Sequence, residues 1–111
     1  MRHFWPLMKN TITDQDKGQM IKFINETDRF TNGPMVKKFE SNWSEWLGSK
    51  YSLYVSNGST ANFLLVASVI EQHKLNRGDK VLVPAMTWVT NIGPIIQLGL
   101  EPIFCDVDPT N

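Results

Sequence analysis

Every residue from Ala61 to Ile70 except Asn62 and Ser68 is apolar. A helix that is apolar nearly all round has to be covered on several sides. The run is too short to cross a bilayer, which needs about 20 residues. The cover must therefore come from protein, and the flanking sequence says what kind. Tyr51-Ser52-Leu53-Tyr54-Val55-Ser56 reads as a strand, and Asn57-Gly58-Ser59-Thr60 as a turn of small residues. After the apolar run, Glu71-Gln72-His73-Lys74 turns polar, and the helix is expected to stop near Gly78-Asp79. Lys80–Pro84 is a second strand, Thr87–Leu98 a second helical segment closed by Gly99, and Pro102–Val107 a third strand. Strand, helix, strand, helix, strand predicts an α/β layer with parallel strands. Pro94 lies inside the second helical segment, where proline costs about 3 kcal/mol. The helix is therefore expected to begin late, near Asn91, or to kink. Three strands with two crossovers leave sheet edges bare. The expectation is a piece of a larger domain, or a chain whose core another chain completes.

Upstream, Thr13-Asp14-Gln15-Asp16 places acids where a helix N-terminus favours them, and a helix is predicted over 14–26. Thr31-Asn32-Gly33-Pro34 breaks the chain, with Pro34 suited to the first turn of the next helix. Val36, Phe39, Trp43, Trp46 and Leu47 then share one helical face, and Gly48 ends it. That phasing assigns Trp43 and Trp46 to core packing rather than to a stacking platform.

Composition removes several function classes. Lys plus Arg (11) balances Asp plus Glu (11), which argues against a nucleic-acid arm or a polybasic membrane anchor. The single cysteine, Cys105, excludes an intrachain disulfide framework and a multi-cysteine metal site; in a strand it is expected to be buried and inert. His3 and His73 have no metal-ligand spacing. Met1-Arg2-His3-Phe4-Trp5-Pro6 has no apolar signal-peptide core. The expected setting is a reducing cytoplasm, without nucleic acid or membrane.

Two loops carry candidate chemistry. In an open parallel sheet, ligands bind beyond the carboxyl ends of the strands. Ser56-Asn57-Gly58-Ser59-Thr60 lies there and opens into a helix, where free N–H groups and the helix dipole attract phosphate. The alternative is an ordinary helix cap with a turn glycine. The loop is neither a P-loop, lacking Gly-Lys-Ser/Thr, nor Gly-x-Gly-x-x-Gly. Trp88, in Pro84-Ala85-Met86-Thr87-Trp88, follows the next strand and either stacks on a flat ring or packs in the core. Asp106 and Asp108 form an acid pair that reads mainly as a solvated strand end.

In order, "FTNGPMVKKFE", "LGSKYSLYVSNGSTANFLL", "GDKVLVPAMTWVTN" and "QLGLEPIFCDVDPTN" resemble the N-terminal part of the DegT/DnrJ/StrS family. These are the pyridoxal-phosphate-dependent sugar aminotransferases and their dehydratase relatives. The resemblance runs over residues 30–111, and 1–29, with "WPLMKNTIT", is similar to the family's lead-in and first helix. It implies an incomplete three-layer α/β/α large domain of a fold-type-I aminotransferase, truncated at residue 111. It also implies a homodimer, a nucleotide-sugar substrate, and pyridoxal or pyridoxamine 5′-phosphate as cofactor.

By the same resemblance, Gly58, Ser59 and Thr60 match the cofactor-phosphate loop, and Trp88 the aromatic that stacks on the pyridine ring. Thr31, Asn32 and Gly33 match a stretch near the sugar. No lysine here matches the family's cofactor-linked lysine. That lysine and the aspartate facing the pyridinium nitrogen are expected beyond residue 111, so the 111 residues alone are expected to be inactive.

Three functions stay open. The first is a keto-sugar aminotransferase of polysaccharide or lipopolysaccharide sugar biosynthesis. The second is a 4-keto-6-deoxy-sugar 3-dehydratase, to which "SNGSTAN", "VPAMTWVTN" and "PIIQLGL" look somewhat closer. The third is a non-catalytic α/β module that binds phosphate or a partner chain.

Overall fold

The structure, a computed structural model, describes residues 8–108 and 110. Met1–Pro6, read above for a signal peptide, His3 with it, and the first residues of the lead-in lie outside the described residues. The chain forms two compact units, one up to Ser52 and one from Leu53 onward.

In the first unit, α1 (Asp14–Glu26) begins at a reciprocal cap. The Asp16 N–H donates to Thr13 Oγ1 at 3.3 Å, and Asp16 Oδ2 accepts from the Thr13 N–H and hydroxyl, each at 2.7 Å. Two orphan N–H groups are thereby satisfied. Phe23 meets Phe30 edge-on at 6.2 Å across the turn that follows. Pro34 starts α2 (Pro34–Leu47), and Gly48 at φ 73° stops it. Both ends fall where the sequence puts them, because proline and glycine act through local backbone sterics. The aromatic face differs from its expectation. Phe39 stacks on Trp43, and Trp46 lies tilted beside Trp43, with centroids 5.7 and 5.0 Å apart, yet Trp46 is 74% exposed. Their phase made them one stripe, but no core of described residues covers it.

The second unit runs α3 (Gly58–His73), β1 (Lys80–Pro84), α4 (Val89–Gln97) and β2 (Glu101–Cys105). The strands pair in parallel, Leu82 opposite Ile103 and Val83 opposite Phe104, with α4 as the crossover. Ile95, 2% exposed, packs with Val83 and Leu100, and Val66, Ile70, Leu75, Val81 and Ile92 surround them. Val81 and Val83 alternate toward this core while Leu82 is exposed, as the period of two requires.

Five expectations need correction. Tyr51–Ser56 is not a strand: an extended segment becomes one only with a ladder partner, and none stands beside it among the described residues. The long helix stops at His73, before Gly78, because Lys74 turns left-handed (φ 54°). The Leu75 N–H then bonds back to the Ile70 carbonyl at 3.1 Å, and both side chains join the core. α4 begins at Val89 rather than near Asn91 and accommodates Pro94 in its interior. Cys105 is exposed, because β2 has a strand on one side only among the described residues. The helix predicted to be buried all round is also largely open in this chain, with Leu65 65% exposed.

Three outcomes follow from this packing. Gly99 sits at φ 84°, and a Cβ there would meet the Arg77 side chain at 3.2 Å, whereas one on Gly18 in α1 meets nothing. Gly99→Ala should lower stability by at least about 1 kcal/mol, and Gly18→Ala should raise it by about 0.5–1 kcal/mol; chemical denaturation reads both signs. The Thr13 hydroxyl, and then its backbone N–H, hold the Asp16 carboxyl below the ordinary aspartate range. The cap's contribution is therefore whole above the unfolded value and fades as pH falls through the lower folded one. An NMR titration should place the Asp16 midpoint below the ordinary range, and Thr13→Ala should raise it. Finally, the open apolar face of α3 should make the 111-residue chain associate at micromolar concentration. A compact monomer in sedimentation would contradict this.

Candidate functional site

The loop before α3 divides its donors between two tasks. Asn57 is the helix cap: its Oδ1 accepts from the Thr60 N–H at 2.9 Å and from the Thr60 hydroxyl at 3.2 Å. Ser56 Oγ lies 3.1 Å from Thr60 Oγ1 and accepts from Asn57 Nδ2 at 3.2 Å. Thr60 is thus drawn into the cap. No described residue accepts the N–H of Gly58 or Ser59 or the Ser59 hydroxyl. These three donors face outward at the positive end of a helix of 16 residues. Gly58 is not in a left-handed conformation, and a Cβ on it would meet nothing within 4 Å. The backbone does not demand glycine there; the missing side chain leaves room for a ligand to approach the N–H groups. Two N–H groups and a hydroxyl at a helix start fit a phosphate.

Trp88 occupies the N-cap position of α4 in an extended conformation and makes no side-chain cap. Its indole is 73% exposed, so no described residue gives it a core to pack in. α3 and α4 border a groove of about 230 Å³ lined by Ser59, Phe63, Val89, Thr90, Gly93, Pro94 and Gln97. The groove brings Ser59 of one candidate loop into the same lining as Val89, the neighbour of Trp88. Thr31, Asn32 and Gly33 belong to the first unit, in the turn between α1 and α2. Asn32 is left-handed at φ 43°, and the Thr31 carbonyl accepts from Arg29 Nε at 2.8 Å.

The acid pair is spoken for locally. Asp106 Oδ1 accepts from the Val107 N–H at 2.8 Å. Asp108 Oδ1 accepts from the Thr110 hydroxyl at 2.6 Å and its N–H at 2.8 Å, and these bonds hold its carboxyl below the usual range. Among the described residues no group of three or more His, Cys, Asp or Glu could hold a metal ion. None of their helices is long and apolar enough to cross a membrane.

The sequence reading missed a polar link between α3 and the segment around Trp88. Asn62 Nδ2 donates to the Thr90 carbonyl at 3.3 Å and to Asn91 Oδ1 at 2.8 Å, and Asn91 Nδ2 donates to Thr87 Oγ1 at 2.6 Å. Its signals were one amide inside an apolar run and one proline inside a helix.

Residues 11–111 match the family model for the DegT/DnrJ/EryC1/StrS aminotransferase family. The chain belongs to this family. Its relatives include the GDP-4-keto-6-deoxy-D-mannose 3-dehydratase of Yersinia pseudotuberculosis, 42% identical over 94% of this chain and 27% of that protein. They also include the UDP-4-amino-4-deoxy-L-arabinose–oxoglutarate aminotransferase of Shewanella sediminis, 32% identical over 97% of this chain and 26% of that protein. Among solved structures, the E. coli GDP-4-keto-6-deoxy-D-mannose-3-dehydratase with bound hydrated PLP superposes with a TM-score of 0.82. It is 36% identical, and the match covers 95% of this chain and 27% of that one. The DegT/DnrJ/EryC1/StrS chain thus spans about a quarter of the length of these relatives. The helices and parallel strands of its second unit are those of an incomplete α/β domain.

Proposed function

We propose that this chain is the N-terminal part of a pyridoxal-phosphate-dependent enzyme that modifies a keto sugar carried on a nucleotide, as a homodimer in the cytoplasm. The observation that carries the proposal is the trio of unclaimed donors on Gly58 and Ser59, on an element that shares a groove with the segment beginning at Trp88. In this reading Gly58 and Ser59 hold the cofactor phosphate, the Trp88 indole lies against the ring, and Thr60 keeps the loop in shape. Thr31, Asn32 and Gly33 contribute to the sugar side. When bound, the cofactor supplies the electron sink for bond changes at the sugar. The residues here bind and orient it; the remainder of the catalytic groups belong to sequence outside these 111 residues.

Of the two reactions, the identity of 42% to a 3-dehydratase, against 32% to an aminotransferase, favours dehydration over the aminotransferase reading. The "SNGSTAN" and "VPAMTWVTN" stretches favour it as well.

The test uses the full-length polypeptide. Ser59→Ala should weaken pyridoxal 5′-phosphate about tenfold, as expected for one hydrogen bond to a charged group, and leave pyridoxal unchanged. Thr60→Ala should cost less, since its hydroxyl already serves Asn57. Equal losses for both ligands in Ser59→Ala would reduce the loop to a helix cap. Incubation with a GDP-linked 4-keto-6-deoxymannose and glutamate, read by product mass, separates loss of a hydroxyl from gain of an amine.

A further inference from the structure

Pro94 has no N–H, so the Thr90 carbonyl four residues earlier lacks the donor that a regular α-helix would give it. Asn62, on α3, supplies one from its side chain at 3.3 Å. A carbonyl only accepts, so the Asn62 amide must turn its NH2 toward α4. That choice sets the direction of the whole chain of bonds. The same nitrogen donates to Asn91 Oδ1, which leaves Asn91 Nδ2 to donate to Thr87 Oγ1. The Asn91 N–H donates to the Trp88 carbonyl at 2.9 Å. Asn91 therefore holds the Trp88 carbonyl through its main-chain N–H and the side chain just before Trp88 through its amide, and Asn62 grips that amide. At the other end, Asn62 follows Ser59 by three residues, on the same helical face.

We propose that Asn62 is a positioning residue that fixes Trp88 relative to Ser59, so that stacking on the cofactor ring and grip on its phosphate are set together. This rests on the cofactor site proposed above. Asn62 needs no contact with the ligand; it acts through Asn91.

A purely structural role, satisfying the Thr90 carbonyl, makes a different forecast, and Pro94→Ala separates the two. Alanine at 94 restores the N–H that Thr90 lacks, but does nothing for Asn91. The measurement is quenching of Trp88 fluorescence by pyridoxal 5′-phosphate in the full-length protein, taken as the difference from Trp88→Phe. Thermal melting is recorded beside it. Asn62→Leu should lose melting temperature, lose quenching at saturation, and bind the cofactor about threefold to tenfold more weakly, the range of one net hydrogen bond. Asn62→Leu/Pro94→Ala should regain the melting temperature but not the quenching. Asn91→Ala, which leaves the Asn62–Thr90 bond in place, should lose quenching with the smaller change in melting.

Recovery of both quenching and affinity in the double variant, or no change in Asn62→Leu, would overturn the assignment while leaving the cofactor site standing. A wild-type protein that neither binds nor is quenched would overturn the cofactor reading and this assignment with it.

Discussion

α4 is held by two unlike contacts, and the candidate site depends on both. Ile95 is the most deeply buried side chain described, wedged against Val83 and Leu100. Burying such a side chain contributes about 1.5–3 kcal/mol. The residue before it, Pro94, costs about 3 kcal/mol in a helix interior, partly through the carbonyl it leaves without a partner. The two terms are of the same size, so the burial of Ile95 does no more than offset the proline. The Asn62 amide removes the part of the cost that comes from the stranded Thr90 carbonyl. With it, α4 is anchored to the sheet by its apolar side and to α3 by its polar N-terminal turn. Val89 and Trp88, at that turn, take their places from the second anchor rather than the first.

This division explains which features were legible in the sequence. Thr13, Pro34 and Gly48 mark helix ends through sterics and caps that involve only near neighbours, and the helices begin and end there. The parallel pair and its crossover follow from the alternation of apolar runs. Tyr51–Ser56 failed because a strand is a property of two segments, and no described segment pairs with it. Lys74 failed because a left-handed lysine is costly in isolation and is sustained by Leu75 folding back onto the core. At the candidate site, the loop at Gly58–Ser59 and Trp88 stood out because both follow segments that the sequence reads as strands, and loops after strands are where α/β sheets bind ligands, although the first of those segments pairs with no described strand. Asn62 and Asn91 did not, being 29 residues apart, with no periodicity to link them. Nor did the split between Ser59 and Thr60, which depends on the side-chain conformation of Asn57.

Helix α3 carries the remaining tension. Its first turn presents polar donors, while Leu64, Leu65 and Val69 further along are exposed apolar side chains. The strength of a helix-terminus field depends on how much water reaches it: charge–dipole attraction grows several-fold as the surroundings lose dielectric. In these residues the Gly58–Ser59 end is open, and the field there is screened. On the proposed reading, whatever protein surface covers the apolar stretch of α3 does two things at once. It supplies the burial that the helix's composition demands, and it excludes water from the neighbourhood of its N-terminus. Affinity for a phosphate at Ser59 is then tied to completion of the core, although the donors themselves are already in place in the chain described here.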